Sequence, residues 1–358
     1  MYRIGIPRAA AGRRGGARLI PAGLGLALAM LAGAIAWPAG LAKVVVYSPH
    51  GPEILAEMEQ RFEAAHPEID MIQQYLSQTD ILAKLRVEQD NPYCDVWWGG
   101  TTEFFNQAAR EGLLRPYSPT WAGTVGEDCH HPDNLWHGQF LQIPCFLYNT
   151  LAMKAEDAPR DWDELLEPKW KSRIVIREPL MSGTMKTIYS AMIQRQIDAG
   201  GTEDDGFEWL RRLERQTSAY LPTPEAMFDK VARSPAGYVS LWNVTDAMYQ
   251  SQSKGYPVVF VTPPSGPVSV DALAIVKSSP NPDLAEQFYE YCSNVESSIW
   301  LAERHYRFNA RSDLPPEAQP AWQRAVECKP MRIDWDAFNS KVGPWMERWR
   351  SEIRDPGK

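Results

Sequence analysis

Three short segments of this 358-residue chain put hydroxyl, imidazole or glycine residues just before a run able to start a helix. In Tyr47-Ser48-Pro49-His50-Gly51, Ser48 offers a hydroxyl, His50 an imidazole, and Gly51 a backbone that a ligand can approach. Gly99-Gly100-Thr101-Thr102 pairs two open glycines with Thr101 and Thr102, either of which can cap a helix or donate to a ligand. In Ser182-Gly183-Thr184, two hydroxyls and consecutive N–H groups can surround a phosphate, phosphonate or carboxylate. The common chemistry is anion binding, because the first N–H groups of a helix lack partners within it and attract negative charge. Helix capping alone is the competing reading for Ser48, for one of the threonines and for Ser182.

Further candidates follow two later strand-like runs. Trp242, Asn243 and Asp246 come after GYVSLW, and Trp242 suggests an apolar or cation-stacking surface. Asp271, within VSVDALAIVK, can accept from a hydroxyl or amine of a ligand, or can serve as a local backbone partner. The stretch Glu127-Asp128-Cys129-His130-His131-Pro132-Asp133 is rich in metal-capable side chains, but its spacing matches no standard zinc pattern. No nucleophile elbow, HExxH or nucleotide phosphate loop occurs. We therefore expect no catalytic residue, no metal site and no cofactor.

These loops need strands and helices to hold them. KVVVYS, DMIQQYL, CDVWWGG, FLQIPCFLYNT, SRIVIREP, GYVSLW, YPVVFVTP and VSVDALAIVK read as strands. Pro52 to Ala65 reads as a helix, with Ile54, Leu55, Met58, Phe62 and Ala65 on one face. Ile81 to Gln89, Glu103 to Glu111, Trp162 to Leu166, Met185 to Ala199 and Asn243 to Lys254 read as helices too, with Tyr249 expected on a buried face. The alternation predicts an α/β protein with largely parallel sheets.

The chain opens with Arg3, Arg8, Arg13, Arg14 and Arg18, then an apolar run from Leu19 to Ala36 and small residues at Gly40 and Ala42. That order predicts a signal peptide over 1–42, cleaved after Ala42, with a retained membrane anchor as the alternative. Removing it takes five arginines and no acid, shifting the formal charge from −8 to −13. So acidic a chain is a poor nucleic-acid binder. About 316 residues then remain, more than one core usually organises, so two lobes are expected. Cys94, Cys129, Cys145, Cys292 and Cys328 form no CxxC pair, and their pairing is not set by spacing.

Taken together, VYSPHGPEILAEMEQRFEAAHP, CDVWWGGTTEFFNQAAREGLL, DWDELLEPKWKSRIVIREPLMSGT and VSVDALAIVKSSPNPDLAEQFYEY resemble a family 1 extracellular solute-binding protein of bacterial ABC importers. The resemblance runs from about Lys43 to Asp313 and is greatest to the branch of ferric-iron and phosphorylated-compound binders. It implies a type II periplasmic binding protein: two α/β lobes with helices on both sheet faces, joined by two hinge crossings at Phe140 to Thr150 and Val261 to Val268. Lobe 1 would comprise 43–139 plus 268–315 and lobe 2 145–262, with 316–358 as C-terminal helices packed on the lobes. In such a fold the three loops meet at a cleft, and the S-G-T segment lines it. The ferric binders carry adjacent tyrosines where this chain has Trp242 and Asn243, and that pair supplies no anionic oxygen for Fe3+. Tyr238 and Tyr249 are the nearest phenols. The C-terminal Trp300, Trp322, Trp335, Trp345 and Trp349 are expected to pack helices away from the cleft.

The resemblance points to a monomeric periplasmic receptor that catches a small anionic solute, an organophosphate or phosphonate, and passes it to an inner-membrane permease. A ferric-iron receptor is the alternative, and an enzyme or a sensory module of the same fold ranks below both.

Overall fold

The computed structural model describes residues 41–324 and 326–355. The expected signal peptide lies outside the described residues, apart from Leu41 and Ala42. Among the described residues no helix is long and apolar enough to cross a membrane.

The chain begins with β1 (Ala42–Ser48), α1 (Pro52–Ala65), β2 (Ile69–Tyr75), α2 (Gln78–Val87), β3 (Val96–Thr101) and α3 (Thr102–Arg110). Short β4 (Leu114–Arg115) and β5 (His137–Gln142) follow. α1 starts where proline is tolerated, at Pro52 behind the N-cap Gly51, and buries Ile54, Leu55, Met58 and Phe62 at helical spacing. The second part contains β6 (Pro144–Asn149), β7 (Ile174–Arg177), α4 (Gly183–Asp198), α5 (Glu203–Gln216), β8 (Thr217–Leu221), α6 (Pro224–Arg233), β9 (Val239–Asn243), α7 (Val244–Gln252) and β10 (Val258–Val261). The chain then crosses back through β11 (Ser265–Gly266) and β12 (Ser269–Val276) to α8 (Pro282–Cys292) and α9 (Val295–His305). It finishes with α10 (Ala321–Arg324), β13 (Lys329–Pro330) and α11 (Trp335–Trp349).

The first sheet has the order β2-β1-β3-β12-β4, with β5 also on β12, and the second has the order β10-β6-β9-β7-β8. Neither is largely parallel. β12 runs antiparallel to β3, β4 and β5, and β6 runs antiparallel to β9 and β10. The reason is the route of the chain: a strand that returns through a crossing enters its sheet from the opposite end. The parallel ladders β1·β2, β1·β3, β7·β8 and β7·β9 remain where helices connect the strands.

Helices cover both faces of the first sheet. Trp97 and Trp98 are neighbours on β3 and therefore face opposite ways. Trp98 packs with Phe62 and Phe288, whereas Trp97 stacks on Phe105 at 4.4 Å. Asp95, wholly buried, binds β1 to the segment after β12. Its Oδ2 accepts from the Val45 N–H at 2.8 Å, and its Oδ1 accepts from the Ser279 hydroxyl at 2.6 Å. The second sheet has one continuous core, which α11 enters through Phe338, Trp345, Met346 and Trp349.

At the start of α5, Thr202 and Asp205 form a reciprocal capping box. All five cysteines are free thiols, with Cys94, Cys145 and Cys292 buried.

Candidate functional site

A cleft of about 940 Å³ opens between the two sheets, lined by residues from strand-to-helix loops, both crossings and α11. Pro49 and His50 enter after β1, Thr101 and Thr102 after β3, and Gly183, Thr184 and Lys186 at the start of α4. Asn243 and Asp246 enter at the start of α7, Gln142 from the end of β5, and Ser269 and Asp271 from β12.

His50, Thr101, Thr102, Gly183, Thr184, Asn243 and Asp271 thus share one cavity, while Ser48, Gly51, Ser182 and Trp242 lie off its wall. Ser48 is wholly buried, and its Oγ accepts from the His50 N–H at 3.1 Å. Gly51 is the exposed N-cap of α1. Ser182 is the N-cap of α4, its Oγ accepting from the Met185 N–H at 3.2 Å. Trp242 is only 5% exposed and offers no stacking surface; its indole N–H donates to Asp246 instead.

His50 is held on three sides. Its ring meets Trp98 edge-on at 4.8 Å and Phe140 at 5.9 Å. Arg307 Nη2 lies 3.4 Å from His50 Nδ1, and because a guanidinium only donates, Nδ1 carries the lone pair and Nε2 the proton. Nε2 is buried without a partner. Burial, helped by the Arg307 and His305 charges, holds the His50 pKa well below its usual value, so the ring is neutral at pH 7.

The double glycine is required by geometry. Gly99 has φ +94° and Gly100 φ +114°. A Cβ on Gly99 would stand 2.3 Å from His50 Nε2, and one on Gly100 2.9 Å from Gln78 Oε1. That Gln78 oxygen accepts from the Thr101 N–H at 2.8 Å and from its hydroxyl at 3.2 Å. Thr101 is thereby partly committed within the protein.

Asp271 sits where the β12 pairing slips, a bulge that re-aims side chains at a sheet rim. Gln142 Nε2 donates to its Oδ2 at 2.9 Å. Burial raises its pKa, the Arg307 charge opposes that, and the Asp246 charge adds to it. Asp246 is fixed from behind by Trp242 Nε1 at 2.6 Å and Asn243 Nδ2 at 3.1 Å, both on Oδ2.

Several lining residues lie outside the three loops and the two later segments singled out by sequence. Lys186, four residues beyond the Ser182 cap, lies half-buried on the wall, and its helix has no acidic residue in the first turn. Its type and position were legible. Arg307 was not: Tyr306, in the left-handed conformation at φ 54°, ends α9, and Arg307 follows it into the cleft from a segment with no motif. α11 contributes Trp335, Asn339, Met346 and Glu347, so Trp335 is a cleft residue and not a remote packing residue. Tyr238 and Tyr249 are half-buried off the cleft, under Lys230 and Lys254 respectively. Among the described residues no three His, Cys, Asp or Glu converge as a metal-holding group.

Two α/β lobes flanking a polar cleft, with chain crossings at its floor, define a solute-binding receptor of the type II periplasmic class. The chain belongs to the bacterial extracellular solute-binding proteins, whose family model matches residues 91–341. The probable ABC transporter periplasmic-binding protein y4fP of Sinorhizobium fredii is 25% identical over 348 residues, covering 95% of this chain and 94% of the relative. Among solved structures, AfuA of Actinobacillus pleuropneumoniae with fructose-6-phosphate bound has a TM-score of 0.65 at 22% identity, covering 88% of this chain and 99% of that one. Iron-bound HitA of Pseudomonas aeruginosa has a TM-score of 0.69 at 19% identity, covering 88% and 100%. The protein is the periplasmic solute-binding component of an ABC importer.

Proposed function

We propose that the cleft captures a small solute carrying a phosphate or phosphonate group, and that the lobes close over it before a membrane permease takes it. The observation that carries this reading is the start of α4. Among the helices that begin at the cleft, α2 has Asp80, α3 has Glu103 and α7 has Asp246 in the first turn, while α4 has no acid there and has Lys186 nearby. Its end therefore keeps its attraction for an anion, which Gly183 N–H, Thr184 and Lys186 can meet. Arg307 supplies a second cation to the same cavity. Differential contacts to both lobes would stabilise the closed state.

The fructose-6-phosphate named for AfuA supports the phosphate reading, and the iron named for HitA supports the alternative. Asp246 and Asp271 would be the anionic oxygens for ferric iron, but among the described residues the cleft wall has no tyrosine. Mass spectrometry of the small molecule that copurifies tests the choice. A phosphorylated or phosphonate compound is expected; a coloured form with tightly bound ferric iron would sink the reading.

We further propose export with cleavage after Ala42 and a monomeric mature form. Edman sequencing and light scattering check both, and intact chain in the membrane fraction would favour the anchor instead.

A further inference from the structure

The charged groups in the cleft are not mixed at random. Glu103 lies in the field of Lys186, and Glu347 is paired with Arg350. Asp271 feels the Arg307 charge, and among the described residues neither Asp271 nor Asp246 makes an ion pair with Arg307. Arg307 instead spends its Nη2 on His50.

Both carboxylates are set in the same way. In each, Oδ2 is held by protein donors: Gln142 for Asp271, and Trp242 with Asn243 for Asp246. In each, Oδ1 accepts no hydrogen bond from the described residues while the side chain lines the cavity. Asp271 is 7% exposed. Each acid comes from a different lobe, Asp271 from β12 of the first sheet and Asp246 from α7 beside the second. Two like charges that act on each other, each with an unfilled acceptor on the cavity, are relieved when a cation arrives.

We propose that Asp246 and Asp271 together bind an ammonium group, so that the solute is a zwitterion, an amino-substituted phosphonate or phosphate ester. This rests on the anion assignment made above for the α4 end. An ammonium suits the pair better than a hydroxyl does. It donates three hydrogen bonds, enough for both carboxylates, and it brings the positive charge that Arg307 alone does not balance. Because the two acids belong to different lobes, the same ammonium would also help hold the closed state.

Titration calorimetry of the purified protein with propylphosphonate, 3-hydroxypropylphosphonate and 3-aminopropylphosphonate tests this. The amino compound should bind on the order of tenfold to a hundredfold more tightly than the other two. Asp246→Asn and Asp271→Asn should each remove most of that preference, with thermal melting confirming that both variants fold. Equal binding of all three probes by the unaltered protein would overturn the ammonium site and leave the anion site standing. A preference that survives the double variant would also overturn it. If none of the three binds, the anion assignment fails, and the inference falls with it.

Discussion

The indole N–H of Trp242 donates to Asp246 Oδ2 across 2.6 Å, tying the last strand residue but one of β9 to the first turn of α7. A tryptophan buried in the core thus aims a carboxylate at the cleft. Trp242→Phe keeps most of the packing and removes that donor. Solute affinity should fall by about tenfold, because a hydrogen bond to a charged group is worth about 1.5–3 kcal/mol and Asn243 retains the second contact. Trp242→Ala should in addition destabilise the fold by about 3–5 kcal/mol through the cavity it leaves. Calorimetry and urea unfolding separate the two effects, and a phenylalanine variant with full affinity would show that Asp246 does not depend on the indole.

The two hydroxyls of the S-G-T loop should behave differently. Ser182→Ala removes the cap on the Met185 N–H, so about 1 kcal/mol of stability is expected to go while binding changes little. Thr184→Ala and Lys186→Ala remove groups on the cleft wall, and each should weaken phosphonate binding by about tenfold or more with little change in melting. Comparable affinity losses for Ser182→Ala and Thr184→Ala would contradict this division.

Two glycines make opposite predictions. Gly99→Ala adds a methyl 2.3 Å from His50 Nε2 at φ +94° and should cost more than about 1 kcal/mol while displacing the imidazole. Gly183→Ala meets nothing within 4 Å at a helical position and should be neutral or stabilising by up to about 1 kcal/mol. A methyl there nevertheless narrows the approach to the α4 N–H groups, so phosphonate affinity should drop. Paired unfolding and binding curves would expose either error.

His137 makes stability depend on pH. It is fully buried, and burial together with the neighbouring His130 charge lowers its pKa to about 4. Tyr289 Oη gives its own proton to Leu273 O at 3.0 Å, so His137 Nδ1 must donate to Oη, 2.9 Å away, and the ring sits neutral. The unfolded chain takes up a proton near pH 6.5 and the folded chain only near pH 4. The stabilisation is therefore complete above about pH 6.5 and is lost as pH falls toward 4, by up to about 3 kcal/mol. His137→Gln should flatten this part of the curve of unfolding free energy against pH. An unchanged slope would place the dependence on His50 or His305, whose pKa values are also lowered.

What the sequence determined by itself is local. KVVVYS and GYVSLW announce strands, and Ile54, Leu55, Met58 and Phe62 announce a helix, because pattern and pleat are set by near neighbours. The loops at Gly99–Thr102 and Ser182–Thr184 were legible for the same reason: a helix start needs a cap and a turn needs glycine. Tertiary structure decided the rest. Nothing local distinguishes Ser182, turned into its own helix, from Thr184, turned to the cleft. Trp242 has the same type and position whether it faces a solute or the core, and only the packing of β9 against α4 and β6 hides it. Arg307 and Trp335 reach the cleft because the chain returns after α9 and lays α11 along α4. The opposition of Asp246 and Asp271 arises from two lobes closing one space, a relation between distant segments that no window of sequence contains.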